Sequence, residues 1–279
     1  LAGLACEESV ESRIINSTND QWQLSHGPFE ASQFSKLGEK SWTLLVQSLD
    51  HWVPEIASLL NAFRFIPNWR IDDIMASFAV PGGSVGPHYD NYDVFLLQGS
   101  GTRQWRVGGN YNSSSPTLDH PDLKLLADFD TTYEWELHPG DMLYLPPQIG
   151  HWGIATSNDC ITYSIGYRAP SHAELLSNFC DDVIAKLNEE RRFSDTNLHI
   201  TESPGIISAS AIQQVKSILS SYLEDEDGLS EWFADNVNSR SDVYTFIWDG
   251  SEEQAKRLSY KKPEDIDKML NYINRLQVH

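Results

Sequence analysis

The sequence predicts a mainly β fold with appended helices: a barrel or sandwich of short strands followed by a helical region. Two observations carry this. From Asp73 to Tyr167 the apolar residues come in short or alternating runs broken by Gly, Pro and Asn, the texture of strands and tight turns. After Arg168-Ala169-Pro170 the apolar spacing changes to that of a helix. The 279 residues leave room for one large domain and a smaller appendage.

Taken in order, Ser41–Leu60 shows near-helical apolar spacing and is expected to be a helix. Strands are expected at Ile74–Val80, Val94–Gln98, Gln104–Val107, Tyr133–Leu137, Met142–Leu145 and Ile161–Tyr167. Turns are signalled at Pro81-Gly82-Gly83, Gly99-Ser100-Gly101 and Pro139-Gly140-Asp141. Ser171 then caps a helix with Leu175, Leu176, Phe179, Val183, Ile184 and Leu187 on one face, and a second helix covers Ala211–Leu223. An amphipathic appendage must bury its stripe somewhere, and a homodimer interface is one such place. Glu224-Asp225-Glu226-Asp227 reads as a solvated loop, and Asp242–His279 as a short strand with one or two helices.

Composition narrows the classes. Forty per cent hydrophobic and 11% aromatic residues, with nine tryptophans, exclude a disordered chain. A formal charge of −20 repels nucleic-acid backbones and anionic membrane surfaces, so free nucleic acid and membrane are not expected partners, whereas a basic protein is attracted. Cys6, Cys160 and Cys180 are too few and scattered for a disulfide framework, which fits a reducing cytoplasm. No run reaches the roughly 18 apolar residues of a membrane span. The start, LAGLACEE, lacks Met, so the chain is expected to be trimmed there.

The chemistry sits in Pro81-Gly82-Gly83-Ser84-Val85-Gly86-Pro87-His88-Tyr89-Asp90. Its Gly/Pro turn delivers His88 and Asp90 two residues apart, on one face of an extended chain. A distal His151 follows the Gly140-Asp141-Met142-Leu143-Tyr144-Leu145-Pro146 turn-strand segment. Two imidazoles and a carboxylate are the facial triad of non-haem iron(II) oxygenases, with positions left open for cosubstrate and O2. Zinc is the competing metal, but no water-activating partner is evident. The far carboxylate of 2-oxoglutarate needs a buried cation, for which Arg103 is the candidate and Arg106 the competitor. If Arg103 faces inward, Trp105 shares its face while Gln104 and Arg106 face out. Ser77 and Ser164 are short polar residues in apolar strands, each able to add a hydrogen bond there. Asp93, three residues beyond Asp90, points to the opposite side of an ideal strand. A bend or bulge after the turn would direct it to the barrel mouth, where it would select a cationic side chain on which Tyr92 or Tyr111 could stack.

The stretch Val80 to Gly99, then Arg103-Gln104-Trp105-Arg106-Val107-Gly108 and Tyr163-Ser164-Ile165-Gly166-Tyr167-Arg168-Ala169-Pro170, resembles the bacterial ribosomal oxygenases of the JmjC/cupin class. The resemblance implies a double-stranded β-helix (jelly-roll) catalytic domain over residues 1–170, a helical dimerisation region over 171–235, and a partial C-terminal winged-helix-like region over 236–279. It implies iron(II) held by His88, Asp90 and His151, 2-oxoglutarate held by Arg103, and Asp93 on the substrate. It also implies hydroxylation of an arginine side chain in ribosomal protein sixteen of the large subunit. Where the resemblance would place a pocket serine, this chain has Ala79. The alternatives are the same chemistry on a histidine or methyl-lysine of another basic protein, or a cupin that binds metal without turnover.

Overall fold

The computed structural model describes residues 1–18, 21–194 and 203–238. They form two units, one spanning Leu1–Ala169 and one beginning at Pro170. The first holds the strands β1 (Ser12–Thr18), β2 (Gln21–His26), β3 (Trp42–Val46), β4 (Ile71–Ala79), β5 (Val94–Ser100), β6 (Arg103–Asn110), β7 (Tyr133–Leu137), β8 (Met142–Leu145), β9 (Ile149–Ala155) and β10 (Cys160–Tyr167). A seven-stranded sheet runs β2-β1-β3-β4-β10-β5-β8 and a three-stranded sheet runs β7-β6-β9, with antiparallel pairing throughout.

Alternation along the strands places one face of each sheet inside the barrel. Val94 and Leu96 of β5 and Leu143 and Leu145 of β8 pack against Trp105 and Val107 of β6 and Leu137 of β7, all buried. Each such side chain stabilises the fold by about 1.5–3 kcal/mol through lost apolar exposure. On the outer face of the large sheet Phe95 is fully buried, its ring 5.2 Å from Phe63, 4.9 Å from Tyr144 and 5.7 Å from Tyr167.

The expected strands all exist, with ends shifted by a few residues. The helix expected over Ser41–Leu60 does not: Trp42–Val46 is strand β3, followed by a 3-10 turn at Leu49–His51, a single helical turn at Pro54–Ala57 and a 3-10 turn at Ser58–Phe63. All five residues of β3 are buried, so the strand carries no polar-apolar alternation and its apolar run imitates a buried helix. Strands β1 and β2 escaped the sequence reading because they are rich in Asn, Gln and Ser, and β2 is an exposed sheet edge. Strand β9 was hidden by its Gly and Trp content around His151.

In the second unit the helices are α1 (His172–Lys186), α2 (Ala209–Leu223) and α3 (Glu226–Asn238). The Ser171 hydroxyl accepts from the Glu174 amide at 3.1 Å and the Glu174 carboxylate accepts from the Ser171 amide at 2.7 Å, a capping box at the expected start. The ring of Phe179 meets that of Trp232 edge-on at 5.1 Å, joining α1 to α3. The loop expected at Glu224–Asp227 is shorter, because Glu226 and Asp227 already belong to the first turn of α3, where carboxylates suit the helix dipole. The strand and helices expected at Asp242–His279 lie outside the described residues. Among the described residues no helix is long and apolar enough to cross a membrane.

Phe95→Ala is expected to lower stability by about 3–5 kcal/mol in urea unfolding. A loss below about 1 kcal/mol would contradict the packing described for this ring.

Candidate metal centre

The turn after β4 is built so that the chain can run along β9. The Gly82 amide donates to the Ala155 carbonyl at 2.8 Å, and the Ala155 amide donates to the Gly83 carbonyl at 2.9 Å. A side chain on Gly83 would collide with the Trp42 and Val80 carbonyls. Bridges then form at Ser84 with Ile154 and at His88 with His151. Four steps on one side face three on the other, so the segment carries a bulge, and Gly86 absorbs it with φ +86°. The buried Ser84 hydroxyl accepts from the Gly86 amide at 3.0 Å and from the Trp152 indole at 2.9 Å, fixing the turn to β9.

His88 and His151 exchange both backbone hydrogen bonds, His88 amide to His151 carbonyl at 3.0 Å and the reverse at 2.8 Å. Directly opposed residues of an antiparallel pair project to one side, and the two imidazole centroids lie 4.2 Å apart. Each ring is turned the same way: Nδ1 of His88 donates to the Gly86 carbonyl at 2.9 Å and Nδ1 of His151 to the Ile149 carbonyl at 3.1 Å. A carbonyl only accepts, so Nδ1 carries the hydrogen in both rings and Nε2 keeps its lone pair for a metal. Asp90 follows, its carbonyl accepting from the Gln148 amide at 2.7 Å and its Oδ2 lying 3.6 Å from His151 Nε2. Ligand atoms of His88, Asp90 and His151 all fall within 4.8 Å of one another. Burial, with His88 beside it, pushes the His151 imidazole well below its usual range, which keeps it neutral as a ligand must be. His88 and Asp90 thus occupy a bulged loop rather than the regular strand the spacing suggested.

Deeper in the barrel, Arg103 and Trp105 share the inner face of β6 as expected. Arg103 is 2% exposed, its Nε has no hydrogen-bond partner, and one terminal nitrogen donates to Ser77 Oγ at 3.3 Å. Burial lowers its pKa, with Cys160 as the neighbouring acceptor that opposes the shift. The guanidinium lies 5.8 Å from the Trp105 ring, which lies 6.0 Å from His151, so metal site and cation occupy one cavity wall. Arg106 faces outward, 3.5 Å from Glu134 and over the Trp152 ring. Ser164 lies on the inner face of β10, opposite Leu96, and the half-buried Tyr111 ring stacks on those of Tyr89 and Phe129, each at 6.4 Å.

Asp93 is already engaged: Oδ2 pairs with Arg70 at 3.3 Å and Oδ1 accepts from the Tyr144 hydroxyl at 2.7 Å. Besides Asp90, Asp73 also turns a carboxylate to the barrel, a residue that no motif singles out. It shares the inner face of β4 with Met75 and Ser77 by the two-residue period, and it is buried. Its Oδ1 is the nearest atom to the position a side chain on Gly166 would take. Gly166 pairs with Val94, the first residue of β5, so Asp73 lies at the end of the sheet where the ligand loop enters β5. The i, i+2, i+4 spacing of Asp73, Met75 and Ser77 was the available signal. Gln98 and Thr162, also missed, join in the interior through a 2.9 Å hydrogen bond from the Thr162 hydroxyl to the Gln98 carbonyl.

Barrel and triad together form a candidate metal site in a cupin-type barrel, and residues 58–175 match the JmjC domain family. The chain is 40% identical over 238 residues to the ribosomal protein uL16 3-hydroxylase of Escherichia coli, covering 85% of this chain and 63% of that protein. It is 37% identical over 246 residues to a probable ribosomal oxygenase of Haemophilus influenzae, covering 85% of this chain and 59% of the relative. The solved structure of YcfD, a ribosomal oxygenase from Escherichia coli, in complex with cobalt and 2-oxoglutarate superposes with a TM-score of 0.76 at 38% identity. It covers 85% of this chain and 62% of that one. The chain therefore spans about three fifths of the length of these relatives. Residues 206–273 match a START-like superfamily domain, a span that runs across the division expected after residue 235.

Gly86→Ala meets Leu125 at 2.6 Å and a strained φ, and it moves the carbonyl that orients His88. Cobalt(II) titration is expected to show affinity lowered about 10- to 100-fold, and an unchanged affinity would contradict this role.

Proposed function

We propose that this JmjC barrel is an iron(II)- and 2-oxoglutarate-dependent oxygenase that hydroxylates an arginine side chain of a large-subunit ribosomal protein. The observation that carries the reading is Arg103: a buried guanidinium with an unpartnered Nε, facing the cavity that holds two histidines and an aspartate. A buried cation is costly unless an anion joins it, and a dicarboxylate that reaches the metal with one end answers that need with the other. Bound iron(II) with 2-oxoglutarate supplies oxygen activation.

The chain's own groups bind, orient and exclude water. His88, Asp90 and His151 hold the metal through one face, with both Nδ1 atoms fixed by backbone carbonyls. Arg103 takes the far carboxylate by charge-assisted hydrogen bonds, and Ser77, already on its guanidinium, sets its direction. Trp105, Leu96 and Leu143 keep the wall between them apolar. At the mouth, Asp73 offers a carboxylate to a substrate cation, and Tyr92, 39% exposed, offers a ring face. Asp73 is the better anchor than Asp93, whose two oxygens serve Arg70 and Tyr144; Asp93 acts at one remove by holding those residues. The charge of −20 draws in a basic ribosomal protein. The reading includes a homodimer, with Leu176, Ile184, Ile212 and Leu219 of the helical unit as the exposed apolar residues that a second copy would cover.

A buried carboxylate also accepts a methyl-lysine or a histidine cation, so the substrate class is decided by mass. Incubation with iron(II), 2-oxoglutarate and a peptide of the ribosomal protein should add one oxygen atom to an arginine; addition at histidine, loss of a methyl group, or no succinate at all would each refute the arginine assignment. Arg103→Met should raise the KM for 2-oxoglutarate at least about 30-fold, the equivalent of losing roughly 2 kcal/mol or more of buried charge pairing. A KM within the wild-type range would remove Arg103 from the site.

A further inference from the structure

Asp73 is 7% exposed, yet the hydrogen bonds it accepts converge on one oxygen. Oδ2 accepts from Gln47 Nε2 at 2.7 Å, from the Ser48 amide at 2.7 Å and from the Ser48 hydroxyl at 2.9 Å. The amide of Gln47 is held in this sense from behind, since its Oε1 accepts from Arg13 at 3.0 Å. Turning the amide over would break both bonds at once. Ser48 adopts φ 50°, ψ 42°, a left-handed conformation that residues other than glycine rarely take. The turn that follows is pinned to the same strand, because the buried Asp50 carboxylate accepts from the Ile74 amide at 2.8 Å. Three elements therefore hold a strained serine against one side of one carboxylate.

We propose that Gln47 and Ser48, backed by Arg13, are positioning residues for substrate recognition: they hold Asp73 by Oδ2 so that Oδ1 is presented to the guanidinium of the substrate. This rests on the reading of Asp73 as the substrate anchor. Donors on Oδ2 stabilise the ionised form against the burial that raises its pKa. They also fix the carboxylate before the substrate arrives, which removes an ordering cost from binding. The other ionisable groups near Asp73 are Asp72 beside it on β4, itself paired with Arg168, Asp50 from the pinned turn, and Tyr92 from the ligand loop.

The arrangement gives Asp73→Asn a distinct consequence. With three donors at the Oδ2 position, an asparagine must point its carbonyl there and its NH2 towards the substrate, so the substrate would meet a donor where it needs an acceptor.

The test uses the full chain with iron(II), 2-oxoglutarate and the ribosomal peptide. Ser48→Gly keeps the left-handed turn and its amide donor and removes the CH2OH side chain with its hydroxyl donor, and Gln47→Leu removes the side-chain donor at similar volume. Each is expected to raise the peptide KM about tenfold while leaving kcat and the KM for 2-oxoglutarate unchanged. Each should also move the acid limb of kcat/KM for the peptide to higher pH, because a carboxylate with fewer donors protonates earlier as pH falls. A purely structural role would not move that limb. The proposal is overturned if both variants keep the peptide KM within about twofold and the limb in place while Asp73→Ala abolishes peptide hydroxylation. If Asp73→Ala itself hydroxylates the peptide normally, the underlying reading of Asp73 fails, and with it this one.

Discussion

The pair of backbone hydrogen bonds between His88 and His151 does two jobs at once. It lays the loop after β4 along β9, extending the small sheet by a further edge, and it sets two imidazoles side by side on the inner surface. The ligand set therefore does not depend on long, freely rotating side chains meeting by chance. It follows from strand pairing, with Gly86 taking the bulge and Ser84 tying the loop to Trp152. Site geometry and barrel closure therefore depend on the same hydrogen bonds, so the ligands are held by rigid elements rather than by free side chains.

Around that centre the interior is polarised. Contacts lead from His151 through Trp105 to Arg103 at one end, and Asp73 lies on the inner face of β4 beside Gly166 at the other. A buried cation and a buried carboxylate, each costly alone, sit apart instead of neutralising each other. Such an arrangement is poor for stability and good for binding two ligands of opposite charge, one on each side of a metal. The apolar wall of Leu96, Trp105, Val107 and Leu143 offsets the cost and keeps the local dielectric low, which strengthens both charge pairings.

Much of this was legible in the sequence, for physical reasons that differ by residue. The triad could be read because a Gly/Pro turn followed by His-x-Asp leaves a sharp local signature, and Arg103 because it follows a turn and alternates with Trp105. The resemblance to JmjC ribosomal oxygenases extends through the fold, as the relatives and the superposed structure show. Strand β3 was misread because burial on both faces erases the period of two, and β1 and β2 because polar edge strands lack an apolar stripe. Asp73 was missed because one carboxylate at a strand start resembles any surface acid. Only its partners, Gln47 and Ser48 from another part of the chain, reveal that it is buried and directed. Asp93 stands out in the sequence by its closeness to Asp90, and the structure adds that its carboxylate pairs with Arg70 and accepts from Tyr144.

The central claim is that the triad and Arg103 form one site, filled jointly by iron(II) and 2-oxoglutarate. Anaerobic titration of the iron-loaded protein with 2-oxoglutarate, followed by visible absorption, tests this most directly. The account predicts a saturable metal-to-ligand charge-transfer band that appears in the native chain and is absent from the His151→Ala variant. A native protein that binds iron but develops no such band at saturating 2-oxoglutarate would contradict it.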